Sequence, residues 1–485
     1  MINFKIIYKI LGSLLFIEAA MMFWCLLMAL YFGEDDMLAF TISIVVTLFA
    51  GFILRYLGIS AENRLSRRDS FLVVTLVWVI FSLFGTLPFL LGGYLHSFTD
   101  AYFENMSGFT TTGATIIDDV EALPHGILFW RSLTHWIGGL GIVFFTVALL
   151  PSLVGGSTKV FAAESTGPIK TKLHPRLSMG AKWIWVVYLF ITFACMGCYM
   201  IFGMDWFEGI NYAMASAATG GFSIYNDSTE HFHSPALDYV TTFFCFLSGV
   251  NFTLLYFTAA KLKWRDLWHD SEFRFYCSVV IGFTIFIMVE LIARNHYDLE
   301  HAFRSAIFQV VSFITTTGLF NDDAAKWPHV TWVILSICMF FGACSGSTSG
   351  GIKCIRVVML YKNLKNEFLR RLHPNAMLPM KISNTNIPME QRLSLMAFFT
   401  TYLLLLLVIA FVMIAAGIDN TNAITICLSS LGNVGPTLGT EIGPTMSWSV
   451  LPDFAKWFCS FMMLIGRLEI FTVLVIFTPT FWTRN

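Results

Sequence analysis

Four short strings of small and hydroxyl-bearing residues recur along the chain: Thr111-Thr112-Gly113, Ala218-Thr219-Gly220, Thr316-Thr317-Gly318 and Asn433-Val434-Gly435. Their glycines stand 107, 98 and 117 residues apart. Three copies carry a serine six residues before the glycine, at Ser107, Ser312 and Ser429. These residues offer oxygen: main-chain carbonyls throughout, and a hydroxyl at each threonine. Rings of such oxygens replace the hydration shell of a monovalent cation. Glycine suits the task because turning successive carbonyls to one side needs backbone angles that a Cβ resists. A single Thr-Thr-Gly string is ordinary turn chemistry. Four of them at similar spacing, all on one side of a membrane, point to a pore.

The elements that would position these strings are legible around them. Each string follows a semi-apolar stretch, at 99–110, 206–217, 301–314 and 421–431. Such stretches are too short to span a bilayer but suit re-entrant half-helices. Asp100, Asp205, Asp298 and Asp419 stand near their starts, where an acid can cap a helix and complement its dipole. Half-helices entering from one side aim their partly negative C-terminal ends at a common centre, which favours cations.

Ten longer apolar stretches flank them, roughly 4–32, 37–57, 70–93, 129–151, 180–203, 237–260, 273–293, 330–362, 392–417 and 454–480. Each is long enough to cross a bilayer core. The first is too long for a signal-peptide core and reads as a retained span. The composition agrees: 56% of the 485 residues are hydrophobic and 13% are charged, against about 25% charged in a soluble domain. The reading is an all-α polytopic membrane protein with ten transmembrane helices and four re-entrant pore loops. A two-helix segment at 1–68 precedes four pseudo-symmetric helix–loop–helix repeats at 69–176, 177–268, 269–390 and 391–485, set around one central pore.

Basic residues orient it. With the N-terminus inside, the inner segments 55–68, 151–182, 261–274 and 353–392 hold 21 Lys and Arg. The outer segments 33–36, 94–128, 204–236, 294–329 and 418–456 hold 4. Cytoplasmic loops carry the excess of positive charge, so both termini are cytoplasmic. The outer side carries acids such as Asp118, Asp119, Glu121, Asp227 and Glu230, which concentrate cations at an entrance. The formal net charge of -1 argues against a nucleic-acid partner. The ten cysteines include no pair of C-x-x-C motifs and read as small buried hydrophobes.

The strings resemble those of the TrkH/KtrB potassium transporter family, within the wider Trk/Ktr/HKT superfamily. The resemblance rests on Met106-Ser107-Gly108-Phe109-Thr110-Thr111-Thr112-Gly113-Ala114, Ala218-Thr219-Gly220-Gly221-Phe222, Thr315-Thr316-Thr317-Gly318 and Gly432-Asn433-Val434-Gly435-Pro436. Two extra N-terminal spans match the TrkH branch. The resemblance implies potassium uptake across the bacterial cytoplasmic (inner) membrane, with potassium as transported ion and no covalent cofactor. It implies a homodimer and a cytoplasmic nucleotide-binding regulatory subunit of the TrkA type. Related plant members that pass sodium carry serine at the first filter glycine, which here is Gly113. Asn433 and Val434 depart from the threonine pattern and make the ring chemically asymmetric.

Two further features concern gating. Gly342-Ala343-Cys344-Ser345-Gly346-Ser347-Thr348-Ser349-Gly350-Gly351 interrupts the second span of the third repeat. Ten small residues hold a poor helix, since glycine costs about 1 kcal/mol relative to alanine. They read as an intramembrane loop below the filter, with tight helix packing as the alternative. The string fails as a phosphate-binding motif because Ile352 separates Gly351 from Lys353. Arg467 lies mid-span, where an arginine costs about 2.5–3.5 kcal/mol and usually faces a cavity. The family resemblance places a gate at this loop and Arg467 beside the permeation path; a structural ion pair is the other reading of Arg467. Arg131, His135 and Trp136 begin a span at the outer surface: Trp136 reads as an interface aromatic, the other two as solvated or paired. The basic loop with Lys362, Lys365, Arg370 and Arg371 suits anionic lipid or a cytosolic partner.

An enzyme is not indicated, since no His-Glu-x-x-His helix or Gly-x-Ser-x-Gly elbow occurs. A proton- or sodium-coupled potassium symporter and a less selective Na+/K+ pore remain the alternatives to a gated channel.

Overall fold

The computed structural model describes residues 2–61, 65–141, 177–261, 264–376, 378–383, 385–439 and 442–483. Apolar segments fold as helices here because, in lipid, every backbone polar group must be satisfied within its own segment. Six described helices are long and apolar enough to cross a membrane: Phe4–Phe32, Met37–Leu57, Arg67–Leu91, Ala181–Ile201, Ser271–Asn295 and Met389–Ala415. Large side chains on their outer faces, such as Phe49, Phe190, Leu407 and Phe411, are exposed. On a polytopic fold that is surface for acyl chains.

The remaining apolar stretches are broken. Pro235–Ser248 meets Phe252–Ala259 at 103°, and Asp453–Arg467 meets Phe471–Phe477 at 109°. His329–Phe340 ends where the glycine-rich string begins, and Cys354–Leu372 resumes after it. The sequence suggested a break only in the last of these. The others occur at Gly249-Val250-Asn251 and at Leu468-Glu469-Ile470, where Glu469 and Ile470 take φ of 56° and 43°. The helix His125–Leu140 closes at Gly141 with φ 90°. The rest of that expected span, and the basic inner segment up to 176, lie outside the described residues.

Four short helices dive between the long ones: Phe98–Phe109, Trp206–Ala218, Leu299–Ile314 and Asn420–Gly432. Asp205, Asp298 and Asp419 cap three of them, accepting from the backbone N–H of Glu208, Glu300 and Thr421. In the first helix Ser97 takes that role by accepting from the Asp100 N–H. Asp100 instead receives the Lys456 ammonium at 2.6 Å, which corrects the expectation of four aspartate caps. Among the described residues one pair of short strands forms, Lys381–Ile382 against Thr385–Asn386, with Ile382 opposite Thr385.

Candidate functional site

The four short helices end alike. Just past each, one non-glycine residue takes left-handed backbone: Thr111 (φ 52°), Thr219 (53°), Thr316 (57°) and Asn433 (54°). Two residues on, a glycine does the same: Gly113 (80°), Gly221 (85°), Gly318 (80°) and Gly435 (99°). Between them, Thr112, Gly220, Thr317 and Val434 each donate an N–H back to the fifth residue before it. The acceptors are the carbonyls of Ser107, Ala215, Ser312 and Ser429, at 2.9, 2.9, 2.8 and 3.0 Å. One backbone motif is thus repeated four times.

It corrects the register read from sequence in the second copy. The string there is Thr219-Gly220-Gly221, and Ala218 is the last residue of its helix, level with Thr110, Thr315 and Gly432. Tandem glycines left either one eligible. The hydrogen bond to Ala215 and the positive φ of Gly221 decide it.

The motifs close on one another. A Cβ added to Gly113 would run into the Gly220 carbonyl, one on Gly221 into that of Thr317, one on Gly318 into that of Val434, and one on Gly435 into that of Thr112. Each copy therefore leans a carbonyl on the glycine of the copy before it, and the fourth glycine returns to the first copy. All four glycines line one cavity of about 380 Å³, together with Thr115, Arg131, Phe222 and Ser223. The limbs beyond the glycines tie the copies together: Trp448 N–H to Thr115 O at 2.7 Å, Val120 N–H to Asn226 Oδ1 at 3.0 Å, and Thr229 Oγ1 to Phe320 O at 2.8 Å.

The glycine-rich string lies against the other side of this ring. Gly350 N–H donates to Thr316 Oγ1 at 2.7 Å. Thr348 Oγ1 donates to the Ala217 carbonyl at 3.1 Å and lies 3.2 Å from Thr219 Oγ1. A Cβ on Gly350 would stand 2.9 Å from that of Asn433. The loop is zipped at its neck by Gly342 N–H to Ile352 O (2.8 Å) and Cys354 N–H to Ala343 O (3.0 Å). Gly346 turns with φ 74° and its carbonyl accepts from Phe252 N–H at 3.0 Å. Ser347 Oγ pairs with Ser349 Oγ at 2.8 Å, and the buried Lys353 ammonium donates to the Ser349 carbonyl.

Arg467 caps this arrangement from the fourth copy. Its guanidinium donates to the carbonyls of Thr348 (2.9 Å), Gly138 (2.6 Å) and Gly139 (2.7 Å). It thereby joins the loop to the helix His125–Leu140 of the first copy. Glu469 pairs with Arg356 at 2.5 Å, on a different face.

Comparison with known proteins fits this geometry. The family model described as a cation transport protein, TrkH, matches residues 37–483. The chain belongs to the TrkH family. A TrkH-family relative from Halomonas elongata, named Trk system potassium uptake protein TrkH, is 36% identical over 99% of this chain and 100% of its own length. The Escherichia coli K12 protein of that name is 36% identical over 99% of each chain. The crystal structure of the potassium transporter TrkH from Vibrio parahaemolyticus superposes with a TM-score of 0.90 at 34% identity, covering 99% of this chain and 100% of the other. The fold is therefore the all-helical polytopic membrane fold of TrkH.

Two carboxylates near the TrkH-family ring escaped the sequence reading. Glu104 sits inside the first short helix, paired with Arg131. Glu272 accepts from the backbone N–H of Ser345 (2.6 Å) and of Ile355 (2.9 Å), and so grips both ends of the loop. A second acid, midway along a semi-apolar half-helix, was a usable signal for Glu104. Glu272 follows the cap Asp270 in a helix's first turn, where an acid is ordinary helix chemistry and carries no special signal.

Proposed function

We propose that this chain takes up potassium across the bacterial cytoplasmic (inner) membrane through one gated, channel-like pore, and that it is a transport protein, not an enzyme. The closed ring of four helix-end motifs carries this reading. Four short helices present their partly negative ends to one centre, which stabilises a cation there. Peptide and threonine oxygens then stand in for its water. The ion-lining set is Thr111, Thr112, Gly113, Thr219, Gly220, Gly221, Thr316, Thr317, Gly318, Asn433, Val434 and Gly435. Support comes also from Thr111 Oγ1, which is buried and makes no hydrogen bond among the described residues.

In this reading the chain crosses the membrane ten times with both termini inside and four re-entrant loops in four repeats. The loop Gly342, Ser345, Gly346, Ser347, Thr348, Ser349, Gly350 and Gly351 blocks the inner mouth, with Arg467 as its latch. The partners are a second copy and a TrkA-type regulatory subunit. The full-length likeness to relatives named for potassium uptake supports the choice of ion.

Reversal potentials of the purified protein in liposomes test this. Potassium is preferred over sodium, and Gly113→Ser lowers that preference. A protein that passes no cation, or passes both equally before and after substitution, overturns the reading.

A further inference from the structure

The wall of the ring carries a charge pair, buried on both sides, within its first copy. Glu104 and Arg131 are 1% and 2% exposed, with Glu104 Oε1 at 2.9 Å from Arg131 Nε. The carboxylate also accepts from Thr115 Oγ1 (3.0 and 3.1 Å) and Ile116 N–H (3.0 Å). The guanidinium donates to the Ser223 carbonyl at 2.9 Å and to Thr115 Oγ1 at 3.3 Å, and lies 4.2 Å from the centre of the Phe222 ring.

Thr115 and Ser223 occupy equivalent places, each two residues past the left-handed glycine of its copy. One ion pair thus ties together the outer limbs of two adjacent copies. Nine residues before its own glycine, where the first copy has Glu104, the others have Tyr212, Gln309 and Ile426. Tyr212 reaches Ser223 Oγ at 2.6 Å, and Gln309 reaches the Asp322 carbonyl at 3.0 Å, so these tethers are neutral and stay within one copy.

Arg131 also lines the cavity that a cation must cross to reach the ring. A bare guanidinium there would repel the ion being transported. We propose that Glu104 and Arg131 are positioning residues for selectivity. The carboxylate cancels the guanidinium field at the outer mouth, and the pair fixes the separation of the first two copies so that the ring does not contract onto a smaller cation. This rests on the pore reading above and deepens it.

The experiment uses the full chain in liposomes, with potassium and sodium as probes at low and high ionic strength. Glu104→Gln leaves the guanidinium without its carboxylate, and potassium influx falls by about tenfold at low salt and by less at high salt, because a wall charge acts through a screenable field. Glu104→Gln combined with Arg131→Met regains influx but keeps a lowered potassium-to-sodium ratio, since the tether is gone. Arg131→Lys keeps the charge without the planar fork and lowers the ratio while influx stays near its starting value. Where Glu104→Gln yields no folded protein, Arg131→Lys and Glu104→Asp decide by the ratio alone. An unchanged ratio in the folded variants, or a double variant no better than Glu104→Gln, overturns the proposal. Loss of all potassium flux in the unsubstituted protein would instead sink the pore reading.

Discussion

Thr111, Thr219 and Thr316 hold a backbone conformation that β-branched residues avoid. Left-handed backbone costs an L-residue about 1–2 kcal/mol, so three threonines and an asparagine in it at matching positions mark a strained site held by its surroundings. The glycines two residues on are under a different constraint, since a Cβ there meets a neighbouring carbonyl as well as an unfavourable φ. Gly220 differs again: a Cβ there would meet the His135 side chain, its Cβ standing at 2.9 Å, and the φ is not positive. The two glycines therefore respond differently to rescue. Gly220→Ala regains potassium flux when His135→Gly makes room. Gly221→Ala stays inactive in the same background, because its obstacle is backbone. Flux assays on the two double variants check this, and equal behaviour would return the register to Gly220.

At the scale of elements, the loop between His329–Phe340 and Cys354–Leu372 has the composition its site requires. Gly342 passes so close to the Gly350 carbonyl, and Gly350 to Asn433, that side chains there would push the loop off the ring. Glycine and serine tolerate such contact at the expense of helix stability. What holds the loop comes from elsewhere: Glu272 at the neck and Arg467 at the tip. Hydrogen bonds to a charged partner contribute roughly 1.5–3 kcal/mol each. If the loop gates the pore as proposed, both contacts are lost when it swings away, so they favour the closed arrangement. Arg467→Ala, and separately Glu272→Ala, raise basal cation flux several-fold without a regulatory partner. Stopped-flow potassium flux in folded, reconstituted protein is the measurement, and unchanged or lower flux in both would remove the latch assignment.

Across the whole molecule, the N-terminal hairpin supplies no residue to the lining of the cavity at the four glycines. Phe4–Phe32 and Met37–Leu57 cross where Gly12 faces Gly51; a Cβ on Gly51 would stand 3.1 Å from the Gly12 carbonyl and 3.2 Å from Phe16. Small residues at such crossings let membrane helices approach closely. The hairpin is pinned to the body by His125 Nδ1 against Glu34 Oε1 at 2.8 Å and by Asn3 N–H to Asp69 Oδ1 at 3.0 Å. Gly51→Leu forces the pair apart at about 1–3 kcal/mol, the usual cost of overpacking. The melting temperature in detergent falls by several degrees while the potassium-to-sodium ratio holds. A changed ratio with unchanged melting would assign the hairpin to the pore instead.

Sequence alone was enough for whatever depends on composition and repetition. Lipid demands long apolar helices, so hydropathy pointed to the long spans, six of which stand as single helices among the described residues; a half-helix followed by a glycine string four times over pointed to a ring; and a glycine–serine run and an arginine inside apolar stretches each stood out against their surroundings. Tertiary structure decided whatever depends on distance. It chose Gly221 over Gly220, gave Asp100 to Lys456 instead of a helix end, and bent two spans that read as continuous. It also joined Glu104 to Arg131, 27 residues apart, and Glu272 to the loop, more than 70 residues away. Hydrophobic pattern reports which face of a helix meets lipid; it carries no record of which buried polar groups meet each other, because those pairings form only when helices remote in the chain pack together.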